Sequence, residues 1–127
     1  MAERLNLPEP AIRHLRRWYR PDLLESTAVL RGTILGWLFG RLGQDAVTVN
    51  GSVHLTSRAS GLDSDRGIGL IGHELFHVVQ QQEMGWWRFF VRYVLAWRPV
   101  HVMRGRGHPM ERPAYERGDA IMASLRE

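Results

Sequence analysis

The sequence predicts a predominantly helical α+β domain in which one β-hairpin precedes a long, histidine-bearing helix. Three observations predict it. Apolar residues recur at helical spacing in most of the longer segments. One stretch, AVTVNGSVHLT at residues 46–56, alternates instead around Asn50 and Gly51. Finally, 127 residues with 44% hydrophobic content suffice for one core but are too few for two.

Taken in order, PEPAIRHLRRWYR at residues 8–20 sets Ile12, Leu15 and Tyr19 at helical spacing, and Pro21 stops that helix. A second helix is expected from Asp22 to about Leu42, because the segment is apolar on several faces. Gly32, Gly36 and Gly40 recur in it every four residues, a smooth stripe suited to a closely packed neighbour or, through weak helix propensity, to a break. These two helices fill an N-terminal part, residues 1–44, of one domain spanning 1–127. The hairpin, 45–56, is expected to turn through Asn50, Gly51 and Ser52. That three-residue loop pairs Val49 with Val53 and Val47 with Leu55 and gives one apolar face.

A polar linker then offers Asp63, Ser64 and Asp65 as caps for a helix over 66–84, whose core side is marked by Ile68, Ile71, Leu75, Val78 and Val79. GWWRFFVRYVLAW, residues 85–97, predicts a third apolar helix with Arg88 and Arg92 on one stripe, expected to be buried as core material. After a loop rich in glycine, proline and arginine, a C-terminal helix over 110–126 turns Ala114, Ile121 and Leu125 inward.

Composition narrows the chemistry. With no cysteine, any metal must rest on histidine and carboxylate ligands. All 17 basic residues are arginine, yet they are scattered, and no nucleic-acid motif accompanies them; a nucleic-acid partner is not expected. MAERLNLPEP lacks the apolar run of a secretory signal and no segment has eighteen successive apolar residues, so a cytoplasmic protein without a transmembrane segment is expected. Export by a non-classical route stays open.

The segment GHELFHVVQQQ, residues 72–82, carries the strongest signal. His73 and His77 lie one helical turn apart, about 40° around the cylinder from each other, and Leu75 points nearly the opposite way. Both imidazoles therefore reach one ion from the face away from the core stripe, with Glu74 beside them. A third ligand must come from elsewhere. Position 83 is Glu83, which rules out the pattern with a third histidine there, and the C-terminal helix offers Glu111 and Glu116. Tyr115, one turn after Glu111, is a candidate hydrogen-bond donor to a ligand or to a developing oxyanion. His101 and His108 are candidates for substrate contact and Asp119 for an acceptor behind a metal-bound histidine.

HELFHVVQQQ followed by HPMERPAY resembles the short gluzincin-type proteins called minigluzincins, and most of all the HExxH domain associated with extracellular contractile injection systems. The resemblance covers about residues 45–120. It implies a single gluzincin-like domain with Zn²⁺ bound by His73, His77 and Glu111. Pro113 stands where that family has a second glutamate, which sets Glu111 at or just before the helix start and leaves Glu116 as a rival ligand.

The expected activity is that of a zinc metalloendopeptidase. Glu74 takes a proton from a metal-activated water that attacks a peptide carbonyl, then passes it to the leaving amine. A peptide or protein is the expected substrate, with Val47, Val49 and the rest of the hairpin offering a strand edge to it. The aromatic helix at 86–97 is a candidate surface for a protein partner. The alternatives are a metal-stabilised interaction module of a secretion or toxin system, and a basic binder of nucleic acid or membrane surfaces.

Overall fold

The computed structural model describes residues 2–96 and 108–126. Among them, a four-stranded sheet packs on a layer of helices, an α+β fold that is predominantly helical, as expected. The strands are β1 (Glu3–Leu5), β2 (Ala28–Arg31), β3 (Ala46–Val49) and β4 (Ser52–Leu55), in the order β1-β2-β4-β3. β2 runs antiparallel to β1 and parallel to β4, and β3 closes the edge antiparallel to β4. The helices are α1 (Glu9–Leu15), α2 (Pro21–Ser26), α3 (Ile34–Arg41), α4 (Asp65–Met84), α5 (Trp86–Ala96) and α6 (Arg112–Ser124).

The helix expected over 22–42 is instead three elements. Thr27 leaves α2 with extended backbone while its hydroxyl donates back to the Leu23 carbonyl at 2.8 Å. Ala28–Arg31 then pairs with strands on both sides, Gly32 turns the chain at φ 75°, and Thr33 caps α3 by accepting from the Gly36 amide at 3.0 Å. Hydroxyl caps at 27 and 33 and a positive-φ glycine between them override the apolar run. The close contact foreseen for the glycine stripe holds for two members: Gly36 lies against the Leu55 carbonyl and Gly40 against Thr56.

The hairpin has the other register. Val49 pairs with Ser52 and Val47 with His54 across a two-residue turn, in which Asn50 and Gly51 take φ values of 46° and 87°. Such positive-φ turns match the twist of the strands. The buried face is consequently Ala46, Thr48, Val53 and Leu55. Thr48 is admitted because its hydroxyl is bonded within the core, as described below. On the half-exposed face, His54 Nδ1 meets the Thr33 hydroxyl at 2.9 Å.

The core lies between the sheet, α1, α4 and α6, around Leu15, Val29, Val53, Leu55, Ile71, Leu75 and Ile121, each 2% exposed or less. Burying each such side chain is worth about 1.5–3 kcal/mol. α4 begins where capping chemistry dictates, with Ser64 accepting from the Gly67 amide at 3.0 Å. Tyr19, at the end of the α1 region, donates to the Gly72 carbonyl at 2.5 Å; burial pushes its phenol up to about 12, keeping it a donor. α6 crosses α4 closely because glycines meet there, and a methyl group at Gly118 would stand 3.0 Å from the Gly69 carbonyl and 3.2 Å from His73 Cβ.

α5 departs from expectation most. Only Phe89 is buried, whereas Trp87, Phe90, Val91, Val94 and Leu95 are exposed. The remaining helices already fill the core, and α5 lies on α4 along one narrow side.

Candidate metal centre

His73 and His77 emerge from the middle of α4 toward α6 and are 8% and 5% exposed. Glu111 stands at the N-cap position of α6, where Pro113 in the first turn sets the helix start. Its Oε1 lies 3.1 Å from His73 Nε2 and 2.7 Å from His77 Nε2. One ligand atom from each of these residues falls within 4.8 Å of the others. Two imidazole nitrogens and a carboxylate oxygen converging on one point are a donor set that fits a zinc-type ion. The sequence candidates His73, His77 and Glu111 are thus brought together, while Glu116 lies exposed farther along α6 and outside the cluster.

The surroundings fix each ligand. His77 Nδ1–H donates to Gln80 Oε1 at 2.8 Å, and the Gln80 amide donates to the Met110 carbonyl at 3.2 Å, which leaves Nε2 as the nitrogen aimed at the cluster. Burial alone would lower the His77 pKa, but the hydrogen bond and charge of Glu111, with the charge of Glu74, raise it to about 9. Burial would likewise raise Glu111, yet the two histidines hold its carboxyl well below the usual carboxylate range. The imidazole of His77 and the carboxylate of Glu111 form a proton-filled pair that a cation can replace.

Glu74 is 5% exposed and accepts from the Thr48 hydroxyl at 2.5 Å, its carboxylate held by the edge strand rather than by the cluster. This is the bond that lets Thr48 face the core. Behind it, the Gln81 side chain bonds both the Thr48 carbonyl (3.0 Å) and the Asn50 amide (2.8 Å). Gln81 therefore occupies the hairpin-tip end of the β3 edge, so the edge foreseen for a peptide is shortened at that end.

Tyr93, on the inner side of α5, was not among the candidates. Its hydroxyl donates to Glu111 Oε2 at 2.8 Å. Burial, reinforced by the Glu111 charge, pushes its phenol far above the usual range, so it remains a donor. Phe89 from the same helix sets its ring edgewise on His77, with centroids 5.9 Å apart. Among so many aromatics, only the four-residue return to the buried stripe, Phe89 to Tyr93, marked this pair. Tyr115 packs its ring edgewise on His73 at 4.3 Å.

His108, a candidate for substrate contact whose place in a loop otherwise predicted a solvated side chain, is instead a buried brace. The Met110 amide donates to its Nδ1 at 3.0 Å, so Nε2 carries the hydrogen and donates to the Tyr93 carbonyl at 2.9 Å. Its ring stacks on Tyr93 with centroids 4.1 Å apart. Asp119 is exposed on α6, and His101 lies outside the described residues.

The eCIS core domain family matches residues 6–85. This span includes β2, β3 and β4 with His73, Glu74 and His77; it begins just after β1 and stops before Tyr93 and Glu111. No curated protein and no solved structure gives a significant match.

Proposed function

We propose, for a chain that belongs to the eCIS core domain family, hydrolysis of peptide bonds at a zinc ion held by His73, His77 and Glu111, in a site of the minigluzincin type. One observation carries the reading. Three ligand atoms converge within 4.8 Å, while Glu74, one residue from a ligand, keeps its carboxylate outside that set on a separate donor, Thr48. A glutamate that served only to neutralise the cluster would point into it.

Zinc bound there would supply a Lewis acid that polarises a carbonyl and makes water a stronger acid near neutral pH. The chain's own groups do the rest. Glu74 accepts a proton from the attacking water as the water oxygen bonds the carbonyl carbon. The same proton passes to the amide nitrogen as the carbon–nitrogen bond breaks. Thr48 fixes the orientation of the Glu74 carboxylate, Gln80 the ring of His77, and Tyr93 the second oxygen of Glu111. Tyr115, seated on His73, is the candidate donor to the oxyanion. The part of the β3 edge beyond the reach of Gln81 offers backbone partners to an extended peptide.

The burial of His73 and His77, below one tenth exposed, favours a second reading, a structural metal in an interaction module of an injection system. Glu74→Gln separates the two. With zinc content unchanged, cleavage of a mixed-sequence peptide library should fall by about 10²–10⁴. A wild-type protein that holds zinc and cleaves nothing in such a library supports the structural reading instead, and a variant that cleaves as fast as wild type refutes Glu74 as the base.

A further inference from the structure

α5 has two sides with different uses. Phe89 and Tyr93 face the metal centre. At about 100° per residue, Phe90, Val94, Trp87, Val91 and Leu95 fall together in one arc of roughly 140° on the other side. All five are exposed, Trp87 and Leu95 by 73% and 71%. Arg88 and Arg92 lie just beyond one edge of that arc and are exposed as well. An apolar patch of this size on one helix is not left to water without a use.

We propose that this face of α5 docks the protein on an anionic lipid surface, with the helix lying in the plane of the interface. Charge complementarity selects the occupant. From Met84 to Met110 the sequence has no aspartate or glutamate and five arginines, in a chain whose net charge is only +4. The apolar arc is convex and single-helical, its largest side chains stand out from the surface, and arginines at its border reach headgroup phosphates while their stems lie along the acyl boundary. Eleven residues span about 16 Å, half the hydrocarbon thickness, and no described helix is long and apolar enough to cross a membrane. The helix therefore lies on the bilayer rather than through it.

The test uses the full chain and sedimentation with vesicles of equal phosphatidylglycerol and phosphatidylcholine, against vesicles of phosphatidylcholine alone. The expected result is binding to the anionic vesicles that weakens as salt rises above about 0.1 M, with a blue shift of tryptophan fluorescence. Trp87→Ser with Leu95→Ser should weaken binding about tenfold or more, and Arg88→Ser with Arg92→Ser should remove most of the salt dependence. Because all four side chains are exposed, unchanged circular dichroism is expected of both variants. Trp37→Ser, on the exposed face of α3, should leave binding intact. Three results overturn the proposal: no binding to anionic vesicles at low salt, equal binding by the Trp87 and Leu95 variant, or concentration-dependent self-association lost in that variant, which assigns the face to a second copy of the chain.

Discussion

Tyr93 and Glu111 are joined by a 2.8 Å hydrogen bond from the phenol to Oε2, and through it the aromatic helix takes part in the candidate metal centre. The carboxylate thereby has its two oxygens in separate uses, Oε1 toward the histidines and Oε2 toward Tyr93. An outer donor of this kind would fix which oxygen faces a bound ion. Tyr93→Phe keeps the ring on His108 and removes only the hydroxyl. Zinc affinity, measured by competition with a chromophoric chelator, should fall about 10–100-fold. An unchanged affinity would mean that Glu111 is held by its position at the start of α6 alone.

Metal content discriminates the third ligand. Purified protein supplied with zinc should hold about one ion per chain, and His77→Ala or Glu111→Ala should lose it, because two remaining protein ligands bind weakly. Glu116→Ala should hold as much as wild type, since Glu116 is exposed away from the cluster. Elemental analysis of the four proteins decides this, and zinc retained by Glu111→Ala would refute the assigned ligand set.

The acid–base pair at the site makes metal binding and stability run in opposite directions with pH. His77 has a folded pKa raised from 6.5 to about 9, so its stabilisation of the metal-free fold is complete below pH 6.5 and is lost as pH rises through 9. A metal must displace that proton. Zinc affinity should therefore climb by about tenfold per pH unit between 6.5 and 9, while the thermal midpoint of the metal-free protein declines over the same window. Glu111→Gln should flatten both trends. A metal-free midpoint that rises from pH 6.5 to 9 in wild type alone would contradict the pairing of His77 with Glu111.

How much of this was legible depended on the range of the interaction that decided it. The His73, Glu74 and His77 spacing is a property of one helix turn and could be read from the chain. Glu111 came only with the family resemblance and with Glu116 as its rival, because a contact between α6 and α4 decides which of the two joins the histidines. Tyr93 could not be read either, because what distinguishes it from Phe90 or Trp87 is which side of α5 meets α4. The strand β2 was hidden for a similar reason: Ala28, Val29 and Leu30 suit a helix as well as a strand, and pairing with Arg4 and Val53 on distant segments chooses between them. The hairpin register was not legible because hydrophobic pairing alone favours an all-apolar face. A threonine on that face costs little once Glu74 takes its hydroxyl, and the Asn50–Gly51 turn then prevails.

The glycine stripe yields a prediction that separates packing from chemistry. A methyl group at Gly36 would sit 2.5 Å from the Leu55 carbonyl oxygen, an atom of the backbone that cannot rotate aside, and 3.1 Å from the Thr33 hydroxyl that caps α3. Alanine ordinarily favours a helix over glycine by up to about 1 kcal/mol, but here the clash must push α3 off β4. Gly36→Ala should thus destabilise the fold by about 1–3 kcal/mol, read as a lower urea midpoint by circular dichroism. The candidate metal ligands belong to α4 and α6, on elements other than α3, so zinc stoichiometry of the folded variant should stay near one. An unchanged or raised midpoint would show that helix propensity outweighs the contact and that α3 has room to move.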